Sequence, residues 1–302
     1  MSFDGVVTKA VTEELQDQLT NGRIVKIYQP TSTEILLTFR NKRKNHVLLI
    51  SIHPTCSRLH LTEHEFTNPK EPPMFCMVLR KHLTSSTLEQ IEQNELERMI
   101  TFKLKARDEI GDLSYKYLMV ELMGKHSNVI LLDEDQNKVI DSLKHVPSFQ
   151  NRHRTILPGS EYKLPPAQHK ENPLSIDGDR FIKKIDFNSG KIDRQIVQAF
   201  TGISPLLSKE IVHRAYLGSE EAYKQAFLQV QNMMKQKQYT PTIYFDQKEI
   251  FHVVPITFIK TENKQIFDTT NEMLDHFYSD KAERDRVKQQ TKDLQRFLKN
   301  EL

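Results

Sequence analysis

The residues best placed to do chemistry are Glu97 and Arg98, in the run NELERMITFKLKAR. Behind them Phe102, Leu104 and Ala106 alternate with Thr101, Lys103, Lys105 and Arg107. A period of two predicts a strand, apolar on one face and basic on the other. By the same parity Arg98 falls on the side of Ile100 and Phe102. A guanidinium entering an apolar face needs a carboxylate, or must point into a cleft. Two readings stay open: a structural ion pair at a strand start, or a donor fork aimed at an anion. Asp4 is a further acid, short and just ahead of a helix, so it reads as a cap or a partner of the helix dipole. Other basic residues stand at ends and turns. Arg80 and Lys81, with His82, close a helix; Lys125 and His126 lie in Gly124–Ser127, either a phosphate-meeting loop or a plain hairpin connection.

No enzyme site emerges. Phosphate-binding glycine loops, dinucleotide fingerprints, H-E-x-x-H and G-x-S-x-G are absent from the sequence. His53, His60 and His64 are near neighbours, but strand alternation and a loop make them poor joint ligands. The two cysteines, Cys56 and Cys76, form no C-x-x-C, and Cys76 reads as core filler. No metal and no cofactor are expected.

The elements that must position these residues follow from periodicity. Thr8 to Leu19 reads as a helix stopped at Asn21–Gly22. Strands follow at Arg23–Tyr28, Glu34–Arg40, His46–Ile52 and Arg58–Leu61, with the basic turn Asn41–Asn45 between two of them. Pro72 and Pro73 open a helix whose face is Phe75, Val78, Leu79 and Leu83. Five more strands are predicted at Thr87–Ile91, Met99–Arg107, Tyr115–Met123, Asn128–Leu132 and Val139–Leu143. Four strands, a helix and five strands suggest an α+β protein: two packed antiparallel sheets, sandwich-like, with flanking helices.

Pro147 to Asp179 is proline-rich and predicts a chain crossing a surface. Helices are then expected over Asp193–Phe200, Ser204–Leu217 and Glu220–Gln236. Between the first two, Thr201–Gly202–Ile203–Ser204–Pro205 ends one helix on glycine and opens the next with a serine cap and proline. This is either a plain αα-hairpin or a helix-hairpin-helix turn aiming amides at a phosphate, though Ser204 stands where such turns usually carry a second glycine. A hairpin over Thr242–Phe245 and Ile250–Val254, continued by Ile256–Ile259, is expected to return to the first domain. Asn271–Tyr278 reads as a short helix. Val287 and Leu294 hint at a coiled coil, and the charged run stops at Leu302 in mid-helix, as a piece of a longer chain would.

Charged residues at 27% and hydrophobic residues at 37% describe a soluble globular chain. A net charge of +3 does not demand nucleic acid, so any basic surface must come from clustering. The N-terminus lacks the basic-then-apolar pattern of a secretory signal, and the apolar runs are too short for a bilayer. The expectation is a cytoplasmic protein that meets no membrane.

Several segments carry a resemblance. SFDG at the start, SIHPTCSRLHLT, NPKEPPMFCMVLRKHL, ELMGKHSNVILLD, DSLKHV, RTILPGSEYKLPP and GISPLLSKEI resemble, in order, the NFACT family in its bacterial RqcH-type form. The resemblance covers essentially the whole chain. It implies an N-terminal NFACT domain over 1–175, a helix-hairpin-helix domain over 176–240, a hairpin over 241–270 and a helix leading into a coiled coil over 271–302. The family's C-terminal RNA-binding domain is missing from this piece.

The implied activity is ribosome quality control. Such factors bind a large ribosomal subunit blocked by peptidyl-tRNA, recruit alanyl-tRNA and support template-free C-terminal alanine addition. Peptidyl transfer belongs to the ribosome, so the protein is expected not to be an enzyme. The family's motif, an early Asp and an Asp-Arg pair, falls on Asp4, Glu97 and Arg98 as implied tRNA-binding residues; the acid of the pair is one methylene longer here. These three are expected to form one cleft cluster beside the basic strand. Arg80, Lys81, Lys103, Lys105, Arg107, Lys125 and His126 are candidate RNA contacts. Members were long labelled fibronectin- or fibrinogen-binding proteins, which makes an adhesin the alternative. The fold also resembles the N-terminal fold of formamidopyrimidine-DNA glycosylases. Those use an N-terminal proline followed by glutamate, where this chain has Ser2 and Phe3, so a glycosylase reading fails on its nucleophile.

Overall fold

The first helix sets the frame. The structure is a computed structural model that describes residues 3–135, 137–216 and 218–300. Helix α1 (Gly5–Leu19) starts three residues earlier than its periodicity suggests, because the Asp4 side chain caps it. Val7, Val11, Leu15 and Leu19 recur every four residues and are fully buried. The helix stops at Asn21, whose φ of 70° is the left-handed conformation that asparagine tolerates.

Around α1 wraps a sheet of nine antiparallel strands: β1 (Arg23–Thr31), β2 (Glu34–Asn41), β3 (Lys44–Ser51), β4 (Arg58–Leu61), β5 (Thr87–Gln93), β6 (Met99–Arg107), β7 (Leu113–Glu121), β8 (Asn128–Leu132) and β9 (Val139–Ser142). Their order is β4-β3-β2-β1-β5-β6-β7-β8-β9. The two separate sheets expected from the strand groups are therefore two wings of one sheet. The wings join through β1 and β5, where Arg23 opposite Thr87 is the register pair. The sandwich-like pair of sheets expected from the sequence is thus one continuous sheet, whose core side is covered by α1, packed on β2, β4 and β5. On β6 the predicted alternation holds: Phe102 and Leu104 are buried while Lys105 and Arg107 are exposed.

Helix α2 (Met74–Leu83) packs Phe75, Cys76, Leu79 and Leu83 into the core. The stretch over 143–177 has no regular element, but it is more than a surface crossing. Ile156 is buried, and Val146 and Ile156 pair as an isolated bridge. Helices α3 (Gly178–Lys183), α4 (Ile192–Ala199), α5 (Pro205–Arg214) and α6 (Glu220–Lys235) follow. They close on stacked rings, with Phe181 4.2 Å from Phe227 and 5.2 Å from Phe200.

A second sheet, ordered β11-β10-β12, joins β10 (Thr242–Phe245), β11 (Glu249–His252) and β12 (Lys264–Ile266). Residues 256–259, read as a continuing strand, are not one; the third strand is formed by 264–266. The expected short helix and the charged run after it are one helix, α7 (Thr270–Asn300). Glu14 on α1 holds its start, accepting Thr270 N–H and Asn271 N–H at 2.8 and 2.9 Å. The main apolar core runs from Phe3 through the large sheet and α3–α6 to Phe277, and a smaller one of Met119, Ile130, Leu132, Val139 and Ile156 lies on the other face of β7–β9. Among the described residues no helix is long and apolar enough to cross a membrane.

Candidate functional site

Three stretches far apart in sequence meet at the start of α1: residues 3–5, the β5–β6 connection 96–98 and the α4–α5 turn 201–205. They enclose a cleft of about 310 Å³. Glycine makes the meeting possible. Gly5 N–H donates to Gly202 O at 3.0 Å. A Cβ on Gly5 would lie 1.9 Å from Leu96 O, and one on Gly202 2.4 Å from the same atom. Gly202 also needs its φ of 80°. The three backbones touch where no side chain fits.

Asp4 ties the junction together. Val6 and Val7 N–H donate to its Oδ1 at 3.0 and 2.9 Å, which is the predicted cap. Its Oδ2 accepts from Ser204 Oγ at 2.7 Å and from His252 Nε2 at 2.8 Å. Val254 N–H donates to His252 Nδ1, so the imidazole proton sits on Nε2 and points at Asp4. Burial pushes the Asp4 carboxyl up, but His252, Ser204 and the Val7 amide more than offset it and hold it below the usual range. With four donors on two oxygens, Asp4 is a buried joint between α1, α5 and β11. Ser204 meanwhile caps α5 through Leu207 N–H, with Pro205 in the first turn, as the sequence predicts.

Glu97 and Arg98 form the open side. Both are half-buried. Arg98 directly precedes β6, and its carbonyl accepts Leu122 N–H at 2.9 Å. Gln93 braces the turn by donating from Nε2 to Gly5 O at 3.0 Å and Glu97 O at 2.9 Å. Burial lowers the Arg98 guanidinium below its ordinary value, against the pull of Asp4 and Glu97. Burial and then repulsion from Glu95 raise Glu97, against Lys170 and Arg98. Lys170 and Gln168, arriving from the proline-rich stretch, complete the wall. A guanidinium and an ammonium in a partly dry cleft suit a phosphate or a base edge.

Asp4, Glu97 and Arg98 are thus brought together as the sequence suggests. Most of the basic candidates are not. Lys103 faces Glu89 at 3.8 Å and Tyr115 at 4.6 Å. Lys105 is exposed farther along β6, and Arg107, which donates to Gly111 O, lies at the far end, roughly 30 Å of strand from Arg98. Arg80 is engaged with Ile27 O and the Tyr28 ring, and Lys81 pairs with Glu109. Only Lys125 and His126 stand near, exposed in a 3-10 turn that follows the cleft residue Met123. Among the described residues no cluster of His, Cys, Asp and Glu could hold a metal ion.

Sequence reasoning missed Gly5, Lys170 and His252 as parts of the site. Gly5 stands in plain view after the cap, but its crowding by Leu96 depends on the fold. His252 lies 248 residues from Asp4, and no local pattern couples them.

Comparison with known proteins adds the following. The family model described as NFACT N-terminal and middle domains matches residues 4–302. The chain is similar to the Rqc2 homolog RqcH of Bacillus subtilis, 47% identical over all of this chain and 53% of that protein. It is 37% identical to the protein of the same name from Streptococcus suis, over 52% of its length. It therefore spans about half the length of these relatives. A crystal structure of the fibrinogen binding protein from Staphylococcus aureus superposes with a TM-score of 0.83 at 41% identity, covering 92% of this chain and 99% of that one.

Proposed function

Because the chain belongs to the NFACT family, matching its N-terminal and middle domains from residue 4 to residue 302, we propose that it is the tRNA-engaging part of a cytoplasmic ribosome quality-control factor. In this reading the protein binds a large ribosomal subunit blocked by peptidyl-tRNA and recruits alanyl-tRNA for template-free alanine addition. It works as a selector and positioner, with peptidyl transfer left to the ribosome. The observation that carries the reading is the meeting of Asp4, Glu97 and Arg98 in one cleft, in a chain 47% identical to a protein named Rqc2 homolog RqcH.

The roles divide between the two acids and the arginine. Asp4, saturated by its four donors, holds the walls and adds negative potential behind Arg98. Arg98 and Lys170 offer donors to RNA phosphate or base edges, with Glu97 setting the orientation of Arg98. The α4–α5 turn acts as a helix-hairpin-helix element beside them, and α7 as the root of a coiled coil.

Affinity purification of the full-length protein from growing cells tests this. Large subunits carrying peptidyl-tRNA should co-purify, and Arg98→Ala should lose tRNA while keeping the subunit. Recovery of protein with no tRNA above background would sink the reading. The name of the similar Staphylococcus aureus protein favours a second one, a fibrinogen-binding adhesin. It requires most of the protein on the surface of intact, unlysed cells, which fractionation would reveal.

A further inference from the structure

Beside the cleft, the irregular stretch 146–163 builds a loop that the reading above does not use. Val146 and Ile156 close its base by exchanging both backbone hydrogen bonds, at 2.9 and 2.8 Å. Arg154 pins it from below. This side chain is buried, donates to both carboxylate oxygens of the fully buried Glu121, and also donates to Lys163 O at 2.8 Å. Tyr162 adds its hydroxyl to Glu121 at 2.8 Å. Within the loop, Gln150 N–H donates to Pro147 O, and Asn151 Oδ1 accepts His153 N–H at 2.9 Å. The tip is thus held in shape by its own hydrogen bonds.

At that tip Phe149 is 83% exposed. A large ring held in water on a braced turn buries nothing in this chain and offers an open π-face. Next to it lies a shallow polar pocket of about 300 Å³, lined by Ser148, Asn151, Arg152, His153, Lys163 and Glu161 among others. Arg152, His153 and Lys163 are exposed, and among the described residues none of them is in an ion pair. An exposed ring flanked by two cations, Arg152 and Lys163, is the arrangement that holds an unpaired base by stacking and its phosphates by charge.

The loop is also continuous with the cleft. Glu121, its anchor, sits opposite Met99, the residue after Arg98. The same stretch runs on to Gln168 and Lys170, which line the cleft. We propose that 147–163 is a second RNA contact, with Phe149 stacking on an unpaired base and Arg152 and Lys163 holding the flanking phosphates. The proposal rests on the RNA-binding reading of the cleft and extends it to single-stranded RNA adjoining the segment held there.

The sequence offers a clean reporter, because these 302 residues contain no tryptophan. In Phe149→Trp the one indole of residues 1–302 sits at the loop tip, and its signal is read as the difference from wild type. The protein is titrated with unfractionated tRNA, binding being followed independently by the anisotropy of end-labelled tRNA. Indole quenching should rise and saturate with the binding curve. Phe149→Ala should weaken binding about tenfold, within the range for one stacked base. Arg152→Ala with Lys163→Ala should lower the salt slope by about 1–2. If labelled tRNA binds while the indole stays unquenched, or Phe149→Ala binds at the wild-type level, the loop contact is refuted and the cleft reading survives. If no variant and no wild-type protein binds tRNA, both fall together.

Discussion

Two acid–arginine sites lie at the same end of the β6–β7 hairpin and behave in opposite ways. Glu121 and Arg154 form a closed pair: bidentate, buried, and completed by Tyr162 and Lys163 O. Burial lowers Arg154, but the hydrogen bonds and charge of Glu121 overcome it, and the guanidinium ends above its ordinary value. Glu97 and Arg98 form the open site. There burial prevails over the partners, so the acid is raised and the base lowered. An anion reaching the cleft would favour the charged form of Arg98, whereas the closed pair has nothing left to offer one. Adjacent carboxylate and guanidinium residues therefore say little about role until the compensation of each is known.

The largest effect should come from breaking the closed pair. Arg154→Ala strands a buried carboxylate and is expected to cost about 3–5 kcal/mol. That corresponds to roughly 10 °C in Tm by calorimetry, with every activity lost together. The double variant Glu121→Leu with Arg154→Met should recover most of the loss, since an apolar pair leaves no charge unpaired. Failure of this rescue would mean that the pair does more than hold the loop.

Asp4 belongs with the closed site although it lines the open one. Asp4→Ala removes a cap and two side-chain hydrogen bonds, and is expected to cost about 2–3 kcal/mol in denaturant titration. Its pKa is lowered on folding. Its contribution is therefore present above the unfolded value, about 3.9, and is lost as pH falls through the folded value. An Asp4 variant as stable as wild type would place this residue with Arg98 instead.

A third closed group sharpens the comparison through pH. His60 is buried and pushed down to about 3, first by burial and then by Arg58 and His64. Arg58 Nε donates to its Nε2, while Nδ1 faces Leu61 O. The neutral ring is thus the form that fits, and the 3.9 Å approach to Asp275 is not an ion pair. Since the folded pKa is depressed, the stability is present above about 6.5 and lost as pH falls towards 3, by about 1.4 kcal/mol per pH unit. Tm measured from pH 7 to pH 4 should show this slope, and His60→Gln should flatten it.

The smallest effects on stability should come from the open site. Arg98→Ala is expected to cost under about 1 kcal/mol, because the side chain is only half-buried, yet to abolish tRNA recovery. Glu97→Asp should change stability by less than about 0.5 kcal/mol and leave tRNA recovery intact. An Arg98→Ala protein that melts normally and still recruits tRNA would remove the functional distinction between the two sites.

Much of this architecture is written locally. The β6 alternation, the α1 and α2 faces, the Asp4 cap and the Ser204–Pro205 helix start each depend on residues within one or two turns of one another, so periodicity and capping chemistry determine them. The union of nine strands into one sheet was not local, since it turns on Arg23 meeting Thr87 across 64 residues. Nor could charge pattern tell which cations share a cleft: the basic face of β6 is correct as a face, but Arg98 lies at one end of the strand and Arg107 at the other. Similarity over the chain's length pointed to Asp4, Glu97 and Arg98 together. What only the tertiary structure decided is how they divide. Asp4 is consumed by His252 and Ser204 because the hairpin and the α4–α5 turn fold back onto α1, while Glu97 and Arg98 line a cleft because Gly5 and Gly202 let three backbones touch beside them.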